Sequence, residues 1–132
     1  MKDHLASLTK DILDTCALTQ QSWTVGCFRS PQPVRRRETA VYPFLCVWID
    51  RDSGRLLNTT ITDGNVEETV CDQTLRLMKN CLQRPKRVFV ADEELAGRIE
   101  QAMQNLDIPV KLDAESPGFE RVRERIIASI NS

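Results

Sequence analysis

Apolar and polar positions along this 132-residue chain change between helical and strand spacing. Residues 3–20 repeat apolar side chains on one helical face, which predicts an amphipathic N-terminal helix. The segment "SWTVGCF" (22–28) alternates its side chains between two faces, which predicts a short strand. Residues 29–40 hold two prolines and four arginines, so we expect an exposed loop there.

A β-hairpin is predicted over residues 43–62, "PFLCVWIDRDSGRLLNTTIT". Its first strand is apolar on both faces, as expected of an interior strand. The "RDSG" segment (51–54) has the residues of a tight turn, and the second strand is rich in β-branched residues. Asn65, with Glu68 three positions later, fits a capping box that begins a helix ending at about Asn80.

Helices and strands alternate through the rest of the chain. We expect strands at 86–91 and 108–112 and helices at 92–106 and 116–130, with Pro109 indicating a sheet edge. The order α-β-β-β-α-β-α-β-α predicts an α/β fold whose five-stranded mixed sheet is antiparallel first and parallel later. One domain is expected over 1–132, with residues 1–20 flanking an α/β core at 22–130.

Bulk composition favours a soluble, cytoplasmic protein. Hydrophobic residues make up 41% and charged residues 28%, and the formal net charge is −1, so no global field favours nucleic acid or acidic lipid. No apolar run approaches the roughly 20 residues that a membrane helix needs. The five cysteines include no CxxC pair and match no zinc-site spacing, so we expect buried, reduced thiols.

Two aspartates follow predicted strands, and each has two interpretations. If the strands ending at Asp50 and before Asp92 were parallel neighbours, their carboxylates could share Mg²⁺ and activate water against a phosphodiester. The candidates for a third carboxylate are Glu68, Glu120 and Glu124. The favoured interpretation assigns no catalytic or metal-binding residue. Asp50 is then a turn acceptor, Asp92 a helix cap, and the last two glutamates part of an ion-paired helix surface.

The segments "FLCVWIDRDSGRLLNTTITDG", "RPKRVFVADEE" and "GFERVRERI" resemble the integrase and transposase core of the ribonuclease H-like superfamily. The resemblance spans about residues 43–126 and implies Asp50, Asp92 and either Glu120 or Glu124 as a catalytic triad. A second resemblance, covering nearly the whole chain past Ser22, is to an uncharacterised prokaryotic domain family of unknown function.

The choice of first strand decides what the resemblance implies. Counting 23–28, "WTVGCF", as the first strand gives the superfamily order βββαβαβα. The first strand then has no acid where the principal metal ligand belongs, and Asp50 falls at the end of the second strand. We therefore expect a ribonuclease H-like fold with a degenerate, non-catalytic site.

Basic residues cluster at two places. The loop contains Arg29, Arg35, Arg36 and Arg37, and the fourth strand is preceded or begun by Arg84, Lys86 and Arg87. If the two patches meet, they could contact phosphates, although solvated surface positions are the favoured interpretation. The chain has no GxGxxG, GxxxxGK[ST] or GxSxG motif.

The sequence thus predicts a binding or interaction module without a cofactor. The expected partner is another protein or a second copy of the chain, through a strand edge or an exposed helix. The alternatives are a Mg²⁺-dependent nuclease or phosphoryl-transfer enzyme and a non-catalytic nucleic-acid-binding domain.

Overall fold

The computed structural model describes residues 2–131, with the side chains of 6–35 and 37–131. Over these residues it contains the helices α1 (Lys2–Thr15), α2 (Val66–Cys81), α3 (Glu93–Met103) and α4 (Pro117–Asn131). A 3₁₀ turn, Gln104–Leu106, follows α3. The strands are β1 (Ala17–Leu18), β2 (Ser22–Arg29), β3 (Val34–Arg36), β4 (Thr39–Val41), β5 (Phe44–Asp50), β6 (Leu56–Thr62), β7 (Gln83–Arg84), β8 (Arg87–Val90) and β9 (Val110–Leu112).

Five strands form the central sheet, in the order β6-β5-β2-β8-β9. The β2–β5 and β5–β6 pairs are antiparallel, whereas the β2–β8 and β8–β9 pairs are parallel. The predicted mixed sheet, antiparallel first and parallel later, is therefore confirmed. So is the N-terminal helix, although it ends at Thr15 instead of near residue 20. Residues 17–18 leave the helix and pair with β7.

Helices cover both faces of the sheet. On one face, α1, α2 and α3 pack over a core that includes Trp23 and Trp48. The Trp48 indole N–H donates to Thr74 Oγ1 at 2.9 Å, so this buried polar group is satisfied. On the other face, α4 places Phe119 and Val122 against β2 and β5. Successive side chains of β2 and β5 point to opposite faces of the sheet, so each strand contributes residues to both cores.

Residues 31–35 and 37–40 are exposed, as the expected exposed loop at 29–40 requires, but the segment is not a loop throughout, because β3 and β4 pair as a two-stranded hairpin. We call residues 34–41 the arginine hairpin. Arg37 and Glu38 form its turn with φ values of 49° and 70°. Turns of this hand normally use Asn or Gly, so the sequence lacked the usual hairpin signal.

The cysteines are reduced, and four of them lie in or against the core. Cys16, Cys46 and Cys71 are buried and Cys27 is half-buried, whereas Cys81 is exposed at the end of α2. The prediction of burial was therefore wrong for Cys81. Over residues 2–131, no helix combines the length and apolar character that crossing a membrane requires.

Candidate functional site

Asp50 ends β5 and organises the turn that follows. Its Oδ1 accepts hydrogen bonds from the backbone N–H groups of Asp52 at 3.0 Å and Ser53 at 3.4 Å. The Gly54 N–H donates to the Asp50 carbonyl at 2.8 Å, and Gly54 has a φ of +75° that favours glycine. The Asp50 carboxylate is thus engaged in local turn bonds.

Asp92 is the N-cap of α3. Its Oδ1 accepts the backbone N–H of Leu95 at 3.1 Å, and its backbone is extended, with φ −125° and ψ 130°. Glu93 and Glu94 follow in the first turn, where negative charge interacts favourably with the helix dipole. The acidic run therefore has a complete explanation in the start of this helix.

The structure places Asp50 and Asp92 at opposite ends of the sheet. Strand β2 lies between β5 and β8, and it is antiparallel to the first and parallel to the second. Asp50 is opposite Trp23, and extension of the β8 register places Asp92 beside Cys27, four residues further along β2. At ~3.3 Å per residue this separation is about 13 Å. The strands that lead to Asp50 and Asp92, β5 and β8, are therefore neither parallel nor adjacent, whereas the hypothesis of a shared Mg²⁺ requires strands that are both.

The three candidate glutamates lie on helix surfaces. Glu68 is exposed in the first turn of α2, where its backbone N–H donates to the Asn65 side chain at 3.1 Å. Glu120 forms an ion pair with Arg123 on α4, and Glu124 is exposed on the same helix. In the described part of the chain, no three His, Cys, Asp or Glu side chains are grouped so that they could hold a metal ion.

The interior of β2, the strand in which the sequence analysis noted no acid, contains a glycine. Gly26 faces α4, and the aromatic ring of Phe119 lies directly over it. A Cβ atom added to Gly26 would lie 2.3 Å from Phe119 Cε2 and 2.6 Å from Cδ2 and Cζ. Phe119 is buried and packs edge-to-face on Phe28, with ring centroids 6.4 Å apart. The ring therefore fills the space that an acidic side chain at this position of β2 would need.

The basic residues of the loop lie around the arginine hairpin. Arg29 donates to the Tyr42 carbonyl at 3.0 Å and stacks 4.4 Å from the centre of the Phe44 ring. Arg35 and Arg37 are exposed on the hairpin, and the Arg36 side chain lies outside the described residues. The arginine hairpin follows the end of β2, so this basic group lies at the Arg29 end of the strand.

The second basic group lies at the other end of β2. Arg87 pairs in register with Ser22, so it lies seven positions along β2 from Arg29. At ~3.3 Å per residue this separation is about 23 Å. Arg84 Nε donates to the Cys16 carbonyl at 3.0 Å, and Lys86 is exposed. The structure does not bring the two basic patches together.

A cleft of about 240 Å³ lies between the 51–54 turn and the start of α4. Arg51 forms one wall, and its guanidinium lies 3.7 Å from the centre of the Phe89 ring. The same group forms a 2.6 Å ion pair with Asp113 and donates to Thr24 Oγ1 at 3.4 Å. Arg51 is therefore used to hold the turn against the parallel half of the sheet. The sequence analysis treated it only as a turn residue.

The two edges of the central sheet differ in how they are protected. β9 has three residues, includes Lys111 and follows Pro109, all features that discourage strand pairing. β6 has seven residues, none of them charged and none of them proline. It carries Leu56 and Ile61, which are 45% and 64% exposed. The edge formed by β6, which we call the β6 edge, is the least protected hydrogen-bonding edge of the sheet.

Comparison with known families gives one match and no assigned activity. The model of a family described as "Domain of unknown function (DUF6930)" matches residues 11–127. No curated protein matches the chain in sequence. The resemblance to an uncharacterised family of unknown function is therefore confirmed.

Solved structures similar to this chain include retroviral integrases. The catalytic core domain of BIV integrase has a TM-score of 0.57 and 15% identity, over 81% of this chain and 64% of that one. The HTLV-2 integrase catalytic core domain in complex with magnesium has a TM-score of 0.59 and 12% identity, over 81% of this chain and 66% of that one. A third similar structure is the simian T-cell lymphotropic virus intasome in complex with PP2A regulatory subunit B56 gamma. It has a TM-score of 0.61 and 15% identity, over 81% of this chain and 38% of that one.

This likeness establishes the fold. The ribonuclease H-like arrangement predicted from the strand order is confirmed. The chain spans 38% to 66% of the length of these three chains.

Proposed function

The chain belongs to the DUF6930 family, a domain of unknown function, and on that premise we propose that it acts as a non-catalytic binding module. The observation that carries this proposal is the Phe119 ring over Gly26 in β2. β2 is the strand on which a catalytic integrase or transposase core of the ribonuclease H-like superfamily, which the sequence resembles, would have a metal ligand. In this proposal the chain acts as one domain in the cytoplasm.

The residues present do not fit the Mg²⁺ that a catalytic ribonuclease H-like site would use. Mg²⁺ demands near-octahedral oxygen ligands at about 2.1 Å, so two carboxylates roughly 13 Å apart along a sheet cannot share one ion. Asp50 is engaged in its turn and Asp92 in its cap. Both observations support a function without a metal cofactor.

Thermal unfolding with and without divalent cations tests the absence of a metal site. A cation bound only by the native state must raise the melting temperature, so we expect neither Mg²⁺ nor Mn²⁺ to do so. Asp92→Asn is the test variant, and Glu93→Gln, one position along the same helix, is the matched control. A cation-dependent rise that Asp92→Asn abolishes and Glu93→Gln retains, together with cleavage of a phosphodiester substrate, would overturn the proposal.

We propose that the partner is a second copy of this chain, bound through the β6 edge. Unpaired N–H and C=O groups along an edge strand can bond to another strand, and natural proteins usually block this with charge, proline or a covering element. β6 lacks charge and proline, and residues 58–62 pair regularly with β5 beyond a bulge near Leu57.

The absence of charged side chains on β6 also permits self-pairing at this edge. An antiparallel contact about a two-fold axis places each strand against its own copy. Like charges directly opposite each other destabilise such pairs, and β6 contains none. Ile61 lies on the same face of the sheet as α4, but α4 packs on β2 and β5 and leaves Ile61 exposed. Its side chain would add apolar contact across the new strand pair.

Light scattering across a concentration series tests this dimer. We expect a monomer–dimer equilibrium that Ile61→Lys weakens at least tenfold, because the substitution introduces a charge at the pairing strand. Leu112→Lys, on the other edge strand and 50% exposed, is the matched control and should leave the equilibrium unchanged. A monomer at every concentration, or equal effects of the two variants, would contradict the proposal.

A further inference from the structure

Cys27 and Cys46 face each other directly across the two central antiparallel strands. They are register partners in the β2–β5 pair, and their sulfur atoms lie 3.0 Å apart. Backbone bonds from Arg51 to Ser22 and from Ser30 to Pro43 fix which positions of this ladder are hydrogen-bonded. Counting from either bond places the two cysteines at a non-hydrogen-bonded position.

This position suits a covalent bond between the two sulfur atoms. At a non-hydrogen-bonded antiparallel pair the Cα atoms lie about 4.5 Å apart and the side chains approach closely. Disulfides occur at Cα separations of about 4.4–6.8 Å, so the backbone needs no rearrangement to accept one here. The central sheet thus holds two thiols within reach of each other.

The two thiols are also hydrogen-bonded to each other. The Cys27 thiol donates a hydrogen bond to Cys46, which raises the pKa of Cys27 and lowers the pKa of Cys46. Burial contributes further to the raised pKa of Cys27. Cys27 is half-buried whereas Cys46 is fully buried, so an oxidant meets Cys27 first.

We propose that Cys27 and Cys46 are a modification site, at which a hydroperoxide converts the two thiols into a reversible intramolecular disulfide. Cys27 reacts as its thiolate, so its thiol must first lose its proton to solvent, and the raised pKa makes this step slower at neutral pH than for an ordinary thiol. The Cys27 thiolate then attacks the peroxide, the O–O bond breaks, and Cys27 becomes a sulfenic acid as the departing oxygen takes up a proton and leaves as an alcohol or water. Cys46 then attacks that sulfur, the S–S bond forms, and the oxygen leaves with a proton as water. Two thiols are oxidised by two electrons, and one hydroperoxide is reduced.

The disulfide would close the chain segment that contains the arginine hairpin. Residues 28–45 leave the sheet at one cysteine and return at the other, and they include β3 and β4. Oxidation would therefore fix the base of this exposed, basic segment. This inference is independent of the β6-edge dimer, because β2 and β5 are interior strands.

The test uses Cys81→Ser protein, which removes the exposed thiol and with it disulfides between molecules. The folded protein is treated with hydrogen peroxide, then unfolded in denaturant, blocked with a maleimide and analysed by intact mass and peptide mapping. We expect the four remaining thiols to fall to two, a mass loss of two hydrogens, and a cross-linked peptide pair that contains Cys27 and Cys46. A dithiol should restore all four thiols.

Two variants in the same background separate the roles of the sulfur atoms. In Cys46→Ser, oxidation should stop at a sulfenic acid on Cys27 that dimedone traps, whereas Cys27→Ser should leave Cys46 reduced. Circular dichroism checks that each variant is folded. The proposal fails if Cys27 and Cys46 stay reduced when Cys81 of the unchanged chain has reacted. It also fails if Cys27 is oxidised to a sulfinic acid while Cys46 is present.

Discussion

Gly26 shows how one residue can decide what a fold is able to do. Glycine inside a strand costs stability because it packs no side chain and loses more conformational freedom than other residues. Its presence in β2 is explained by Phe119, whose ring comes within 2.3 Å of the space that a Cβ would take. The same contact supports the proposed lack of catalysis, since no side chain fits there.

Gly26→Ala should therefore destabilise the protein. Overpacking a filled core typically costs about 1–3 kcal/mol, and here the added methyl group would meet an aromatic ring. Gly97→Ala is the matched control, because nothing lies within 4 Å of a Cβ added at that exposed helical position. The control should gain roughly 0.5–1 kcal/mol from improved helix propensity. Urea denaturation of the two variants measures both changes.

A double-mutant cycle checks that the contact itself is responsible. In a Phe119→Ala background the ring is absent, so Gly26→Ala should cost much less than in the unchanged protein. Residues in contact normally show coupling energies of about 0.5–3 kcal/mol. An equal cost in both backgrounds would show that Gly26 is required for another reason.

At the residue scale, local roles could be predicted from the sequence and this contact could not. The turn bonds of Asp50 and the cap of Asp92 depend on neighbours within a few positions, which the sequence displays directly. Phe119 reaches Gly26 only because α4 crosses the sheet over β2 and β5. The sequence showed that the strand at 23–28 has no acid, but not that the Phe119 ring lies over Gly26 in this strand.

At the element scale, the start of α3 distinguishes a helix cap from a metal ligand. Asn and Asp serve almost equally well as N-caps, whereas Ala lacks the accepting oxygen. Asp92→Asn should therefore leave stability nearly unchanged, and Asp92→Ala should cost about 0.5–2 kcal/mol. Thermal or urea unfolding measures this difference. Equal losses of stability in the two variants would contradict the assignment of Asp92 as a cap.

The long elements could be predicted because their apolar periodicity is strong, and the short ones could not. The strands β2, β5 and β6 and the helices α2, α3 and α4 all fall where the spacing indicated. The arginine hairpin was missed because Arg37 and Glu38 adopt left-handed backbone angles without the Asn or Gly that signals such a turn. β1 and β7 have two residues each, too few to show a period.

At the scale of the whole molecule, the sheet has two unlike edges. The parallel half ends in the short, lysine-containing β9, and the antiparallel half ends in the long, uncharged β6. β6 is an edge because it is the last strand of the antiparallel meander and the parallel strands add beyond β2. The sequence analysis predicted the meander but not this strand order. The difference in protection between the two edges could be recognised only from the structure, which gives the lengths of β9 and β6.

The backbone amides that point out from the β6 edge can be identified. Because Leu45, Val47 and Ile49 bond to β2, the alternate residues of β5 bond to β6, and their partners are Asn58, Thr60 and Thr62. Thr59 and Ile61 therefore direct their N–H groups away from the sheet.

Amide hydrogen exchange read at these two positions tests the proposed dimer directly. In dilute protein Thr59 and Ile61 should exchange rapidly while Thr60, bonded to β5, is protected. Raising the concentration above the dimer dissociation constant should protect Thr59 and Ile61, because a second β6 strand then accepts their hydrogen bonds. The Ile61→Lys variant at the same concentration supplies the unpaired reference. If light scattering shows a dimer while the Thr59 amide still exchanges rapidly, the two copies meet through another surface.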